Sequence, residues 1–226
     1  MDGVISRAIQ NGRIKVRVTD LRDFTSDRHR TVDDRPFGGG EGMVFKPEPI
    51  YMAVNYLKKE PPDAKVFLLS PRGRLFDQEL SRELAAYERI ILICGRYEGV
   101  DERVMDICSA EEISIGDYIL SGGEPAALVV MDAVSRLIPG VLGCERSSEE
   151  ESFSENLLEY PHYTRPRSFA GKDVPSILLT GDHEKIRRWR RERALETTLK
   201  RRPELLSKSD LDADDIAFLR EKGWTR

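Results

Sequence analysis

Two apolar runs stand out along the chain, Lys65-Val-Phe-Leu-Leu-Ser70 and Arg89-Ile-Ile-Leu-Ile-Cys94. Both are rich in branched or aromatic residues, and both end at turn formers, Pro71 and Gly95. Continuous rather than alternating apolarity is the pattern of a strand covered on both faces, so these runs predict buried parallel strands. Between them Asp77 can cap a helix whose apolar residues Leu80, Leu84 and Tyr87 are spaced four and three apart. A second helix is predicted from about Pro47, carrying Ile50, Met52, Val54 and Leu57. A third, from about Glu124 to Leu137, is apolar on nearly every side and is expected to be buried. Strands alternating with helices point to an α/β domain with a mostly parallel sheet.

The pattern changes after Gly143. Cys144 to Ser154 is acidic and serine-rich, has no helical or strand period, and reads as an exposed linker. Beyond Pro161 the chain is helical and charged. Asp182 can cap a long helix through Trp189 to about Leu199, Pro203 interrupts it, and Asp212 to Glu221 predicts a last short helix. The expected organisation is an α/β domain over 1–143, a linker over 144–160 and a small all-helical domain over 161–226.

Composition adds mainly exclusions. A chain of 226 residues buries a sizeable core without disulfides or a structural metal. No apolar run approaches a bilayer span and the start shows no signal-peptide pattern, so a soluble, cytoplasmic protein without a membrane segment is expected. Cys94, Cys108 and Cys144 form no CxxC pair, and His29, His162 and His183 show no HExxH spacing; no protein-built metal site is expected. The net charge of −4 does not advertise a nucleic-acid binder, but the charge is segregated. Basic residues crowd Lys185 to Arg202 and Arg28-His29-Arg30, and acidic ones crowd Glu149 to Glu151 and Asp210 to Asp215. Taken alone, a solvated helix of mixed charge explains this as well as a basic binding face does.

Candidate chemistry lies in loops. No GxGxxG follows a strand and no GxxxxGK[ST] occurs, which removes the usual dinucleotide and P-loop signatures. Three predicted strand ends do lead into glycine-bearing loops: Ser70 to Arg74, Cys94 to Arg103, and Ser114 to Glu124. Their glycines let the backbone approach a ligand, and Tyr97, Ile115, Tyr118 and Leu120 offer the flat, apolar walls an adenine ring needs. A single such loop is explained as a turn. Three at successive strand ends favour a cleft, because open parallel sheets bind ligands beyond the carboxyl ends of their strands. Asp27 to Pro36, leading into Phe37-Gly-Gly-Gly-Glu-Gly42, is a surface loop or one that touches RNA or closes over a substrate. Glu151 in the linker and Arg136 near the end of the buried helix are a candidate base and oxyanion stabiliser, or solvated and structural side chains.

Read together and in order, these segments carry a resemblance. Asp27-Arg-His-Arg-Thr-Val-Asp-Asp34, Gly38-Gly-Gly-Glu-Gly-Met43, Leu69-Ser-Pro71, Cys94-Gly-Arg-Tyr-Glu-Gly99 and Ser114-Ile-Gly-Asp-Tyr118 are followed by Leu120-Ser-Gly-Gly-Glu124, Ile138-Pro-Gly-Val-Leu-Gly143, Pro161-His-Tyr-Thr-Arg-Pro166 and Ile186-Arg-Arg-Trp189. From Gly3 to about Leu206 the chain closely resembles the bacterial tRNA (guanine-N1)-methyltransferases of the SPOUT class.

The resemblance implies a deep trefoil knot, a topology that periodicity does not suggest. It implies that the three loops form the knot and hold S-adenosylmethionine in a bent shape. The matching positions are Leu69, Ser70 and Pro71, then Gly95, Tyr97 and Glu98. The third loop adds Ile115, Gly116, Asp117 and Tyr118, followed by Ile119, Leu120, Gly122 and Gly123. It further implies an obligate homodimer with active sites at the subunit interface, and guanosine-37 of tRNA, preceded by another G, as target. The family's general base is an aspartate at the position held here by Glu151, which is one methylene longer. Arg136 would balance charge growing on the guanine O6. Arg28, His29, Arg165, Arg187, Arg188 and Arg190, with His162, would meet the tRNA. The resemblance also suggests magnesium, which no local ligand pattern demands. The family also begins with a core strand and a Phe-Pro-containing turn before the segment matching Gly3, and Met1 falls just after them. A start assigned too far downstream and a true truncation both account for this. Two other functions stay open, a non-catalytic tRNA-binding remnant and a SPOUT enzyme acting on another RNA position.

Overall fold

A computed structural model describes residues 3–96, 98–142, 152–153 and 155–225. The first compact unit, Met1–Gly143, opens with helix α1 (Val4–Gln10). Two short strands, β1 (Asp33–Asp34) and β2 (Val44–Phe45), then pair antiparallel on either side of the glycine-rich segment. Helix α2 (Pro47–Lys58) starts with a proline in its first turn, where the missing N–H costs nothing. Strand β3 (Lys65–Leu75), helix α3 (Gln78–Ala85), strand β4 (Ile90–Cys94), helix α4 (Arg103–Cys108), strand β5 (Ala110–Ser114) and helix α5 (Glu124–Ser135) follow. Asp77 caps α3 as predicted, accepting a hydrogen bond from the Leu80 N–H at 2.9 Å.

The sheet is parallel with strand order β4-β3-β5, so the central strand is β3. Its alternation sorts the core into two layers. Val66 and Leu68 face Ile50 and Val54 of α2 and Val104 and Cys108 of α4. Phe67 and Leu69 face Leu80 and Leu84 of α3 and Ala126, Val130 and Val134 of α5. Helices cover both faces, which is why the strand reads as a continuous apolar run.

Three expectations change. β3 does not stop at Pro71: the chain bulges out after Leu69, and Arg74 returns to the same partner, Ile113. Helix α5 is not buried all round, because Leu128 is 60% and Val129 46% exposed. An outer-layer helix meets the sheet along one stripe, here Ala126, Val130 and Val134, and its apolar back is left uncovered. Met52 of α2 is 53% exposed, since two residues past Ile50 is about 200° round the helix.

The second compact unit, Cys144–Arg226, has its own small core of Leu157, Leu195, Leu206 and Leu219. It is mostly but not entirely helical. Strands β6 (Ser168–Phe169) and β7 (Lys172–Asp173) form a hairpin whose central residues, Ala170 and Gly171, both have positive φ, the geometry that matches strand twist in a two-residue turn. Helix α6 (His183–Arg201) is capped by Asp182, and helix α7 (Ala213–Glu221) by a reciprocal capping box of Asp212 and Asp215. A short 3-10 turn, Pro203–Ser207, separates them. No helix among the described residues is long and apolar enough to cross a membrane.

Candidate functional site

In the first unit the three loops leave the same end of the sheet and are tied to one another. The bulge after Leu69 places Ser70 half-buried and Pro71 exposed. Arg72 donates at 2.9 Å both to Glu102, beyond the β4 loop, and to Glu112 on β5. The β4 and β5 strands are not neighbours, yet the β5 loop reaches across β3 to β4: the Gly123 N–H donates to the Gly95 carbonyl at 2.8 Å. Only glycine fits there, because a Cβ on Gly123 would sit 2.8 Å from the Cys94 Cα. Arg96 and Gly122 form an isolated antiparallel bridge, and the Arg96 Nε and Nη2 donate to Glu124 Oε1 at 2.9 and 2.7 Å.

The β5 loop turns tightly. The Gly116 N–H donates to Ser114 Oγ at 3.2 Å, and the Tyr118 hydroxyl donates back to the Ile115 carbonyl at 3.1 Å. Tyr118, Ile119 and Leu120 are 55%, 82% and 40% exposed, an unusual concentration of apolar surface at a strand end. Asp117 is exposed beside them, and Ile115, Gly116 and Gly122 are half-buried. In the β4 loop Gly95 is half-buried and Glu98 exposed, while Tyr97 lies outside the described residues.

The glycine-rich segment joins this cluster. The Glu98 N–H donates to the Met43 carbonyl, the Phe45 N–H to the Gly99 carbonyl and the Asp101 N–H to the Phe45 carbonyl. Upstream, Asp27 accepts from the His29 N–H and from the Thr31 N–H and hydroxyl. The hydrogen bond from the Thr31 hydroxyl leads the causes that hold the Asp27 carboxyl below its usual range. This turn leaves Arg28 and His29 exposed.

Electrostatics define what the cluster can do. Burial pushes the Cys94 thiol up to about 11, with Glu124 adding to the shift and Arg96 opposing it. Cys94 is therefore a neutral packing group at pH 7, not a nucleophile. Burial is the largest single influence on the Glu124 carboxyl and works to raise it, but the Arg96 hydrogen bond, a backbone hydrogen bond and the Arg96 charge together outweigh it and the net direction is down. Among the described residues no cluster of three or more His, Cys, Asp or Glu could hold a metal ion. The arrangement offers backbone donors and acceptors beside an apolar wall, which suits a flat, partly polar small molecule.

Arg136 is the residue closing α5, half-buried, with its N–H bonded to the Asp132 carbonyl. Glu151 lies outside the described residues, as do Glu149 and Glu150.

In the second unit the cations of α6 differ in exposure and partners. Arg187, Arg188 and Arg190 are exposed, and Arg165 is exposed on the preceding segment. The Arg190 guanidinium lies 4.8 Å over the Tyr160 ring, and Arg188 donates to Glu192 at 3.2 Å. Arg191, one turn beyond Arg187, instead reaches into Asp215 at 2.7 Å, Glu155 and the Asp210 carbonyl. His162 meets Glu159 at 2.7 Å, and its ring lies tilted against that of Tyr160 with centroids 4.8 Å apart.

Sequence reasoning passed over Arg72, Arg96, Glu112 and Glu124, which tie the loops together. Each lay in or beside a motif already singled out, but no spacing links residues 28 or 40 apart.

Comparison with known proteins agrees with this geometry. The family model described as tRNA (Guanine-1)-methyltransferase TrmD matches residues 1–208. A protein of Dictyoglomus turgidum named tRNA (guanine-N(1)-)-methyltransferase is 57% identical over 218 residues, 96% of this chain and 88% of the relative. One of Geobacter metallireducens with the same name is 53% identical over 220 residues, 97% of this chain and 90% of the relative. With the looped cluster at the strand ends and a match that runs through nearly the whole chain, this protein belongs to the tRNA (guanine-1)-methyltransferase family.

Proposed function

We propose that the protein transfers a methyl group from S-adenosylmethionine to N1 of guanosine-37 in tRNA, in the cytoplasm. One observation carries the donor site: loops from three parallel strands are cross-tied at a single sheet end, with Tyr118, Ile119 and Leu120 exposed beside them. These residues fit the donor. Apolar side chains would flank its adenine, and the backbone groups around Leu69, Gly95 and Gly116 would meet its polar edges. The donor supplies an electrophilic methyl group. The strap that runs from β5 across β3 to Gly95 supports a knotted reading of the three loops.

Guanine N1 carries a proton and is a poor nucleophile until it leaves. Glu151 would take that proton as the methyl group passes to N1 and its bond to the donor sulfur breaks, leaving a neutral thioether, and Arg136 would balance the negative charge growing on O6. Arg28 and His29 in the first unit, and Arg165 together with Arg187, Arg188 and Arg190 of α6 in the second, hold tRNA phosphates, all of them on exposed side chains. The functional unit is a homodimer with active sites at the subunit interface, consistent with the uncovered apolar back of α5 and with exposed Tyr51 and Met52 on α2.

The test is mass spectrometry of tRNA nucleosides after incubation of the full chain with donor and tRNA. 1-Methylguanosine is the expected product. A different methylated nucleoside would redirect the reading to another RNA position, and donor binding without product would make the protein a non-catalytic tRNA binder. Glu151→Ala is expected to abolish turnover while donor binding stays nearly intact.

A further inference from the structure

We propose that Arg96 and Glu124 are a positioning pair that holds the β4 and β5 loops at the spacing the methyl donor requires. The inference rests on the donor reading above. Arg96 immediately precedes Tyr97 and Glu98, and Glu124 immediately follows Gly122 and Gly123, so each flanks positions assigned to the donor. The pair joins two loops whose parent strands are separated by β3. Two guanidinium N–H groups converge on one oxygen, Glu124 Oε1, at 2.9 and 2.7 Å. The other oxygen lies over Gly122, where a Cβ would fall 2.4 Å away. The Arg96–Gly122 bridge and the Gly123-to-Gly95 hydrogen bond join the same two loops. Glu124 is also the first residue of α5, a twelve-residue helix whose N-terminal dipole favours an anion.

Exposure separates this role from a contribution to stability. The two side chains are 54% and 49% exposed. Exposed pairs of this kind add little to folding free energy. Losing the pair leaves the fold standing but frees the β5 loop to move against the β4 loop. Misplacement of a binding group by a fraction of its contact distance is costly to binding even where it is cheap to folding.

The experiment measures donor affinity of the full chain by titration calorimetry, with thermal midpoints and steady-state kinetics alongside. Arg96→Ala and Glu124→Gln are each expected to weaken donor binding by about tenfold or more. The donor KM rises with them, while kcat at saturating donor stays within about threefold and the midpoint within about 2 °C. The double variant is expected to be no worse than either single one, because both remove the same contact. Arg96→Lys, which keeps the charge, recovers part of the affinity. Wild-type donor binding with unchanged affinity in Arg96→Ala, or single effects that simply add, would overturn the pairing alone. A wild-type protein without donor affinity would overturn the donor reading and this inference together.

Discussion

Leu69 and Arg74, five residues apart on one strand, both register with Ile113 on the neighbouring strand. The four residues between them are expelled from the ladder, and that expulsion creates the first loop of the candidate donor site. Gly73 makes it possible: a Cβ there would lie 2.4 Å from the Glu112 carbonyl carbon and the Ile113 nitrogen, both backbone atoms that cannot step aside. Gly73→Ala is expected to destabilise the protein by about 1–3 kcal/mol and to weaken donor binding. Urea unfolding and calorimetry check the two effects, and a wild-type midpoint would show that the bulge tolerates a side chain.

Cys94 gives a pH test of the same sheet end. Burial raises its thiol to about 11 from the ordinary 9.0. The folded state therefore holds this proton more tightly than the unfolded chain. Its contribution to stability is complete below about pH 9 and is lost as pH rises towards about 11. Alkylation of Cys94 at about pH 7.5 is expected to be much slower than that of a model thiol, because that pH lies far below the raised value, and peptide mapping after iodoacetamide treatment measures it. Rapid labelling of the native protein would contradict the burial.

Helix α6 should separate RNA contact from folding. Asp215 is 6% exposed and holds Arg191. Removing Arg191 leaves that carboxylate buried without its partner, and Arg191→Ala is expected to cost roughly 3 kcal/mol. Arg187→Ala and Arg190→Ala lie on the exposed face and should leave the thermal midpoint nearly unchanged while weakening tRNA binding. Their salt dependence should become shallower, each by about one counterion. Unchanged tRNA affinity in both would remove this face from the interface.

Leu84 and Leu128 give a matching contrast in the first unit. Leu84 is 1% exposed between α3 and the sheet, and Leu84→Ala should cost about 2–5 kcal/mol. Leu128 is 60% exposed on the back of α5. Leu128→Asp should leave the folding of a protomer intact but shift the proposed homodimer toward monomer, as read by analytical ultracentrifugation. An unaltered dimer would place the subunit contact elsewhere.

Much of the α/β architecture was legible in the amino-acid pattern. Continuous apolar runs marked β3 and β4, Asp77, Asp182 and Asp212 marked helix starts, and ordered motifs marked the three loops. Less was visible where local pattern competes with surroundings. Ile14-Lys-Val-Arg-Val18 alternates like a strand, yet it joins no ladder among the described residues, and Val18 is 93% exposed. The β6–β7 hairpin went unpredicted because two-residue strands have no period to read.

By itself, the sequence determined strands β3 and β4, helices α2, α3, α5, α6 and α7, where the three loops fall and which family the motifs resemble, since these follow from short-range periodicity, capping and residue order. Only the tertiary structure decided that the β5 loop crosses β3 to meet Gly95, that Arg96 finds Glu124, and that Arg191 turns inward while Arg187 and Arg190 face outward. Those pairings depend on strand order and on the rotation of each helix against its neighbours. They join residues far apart along the chain, where no local spacing records the partner.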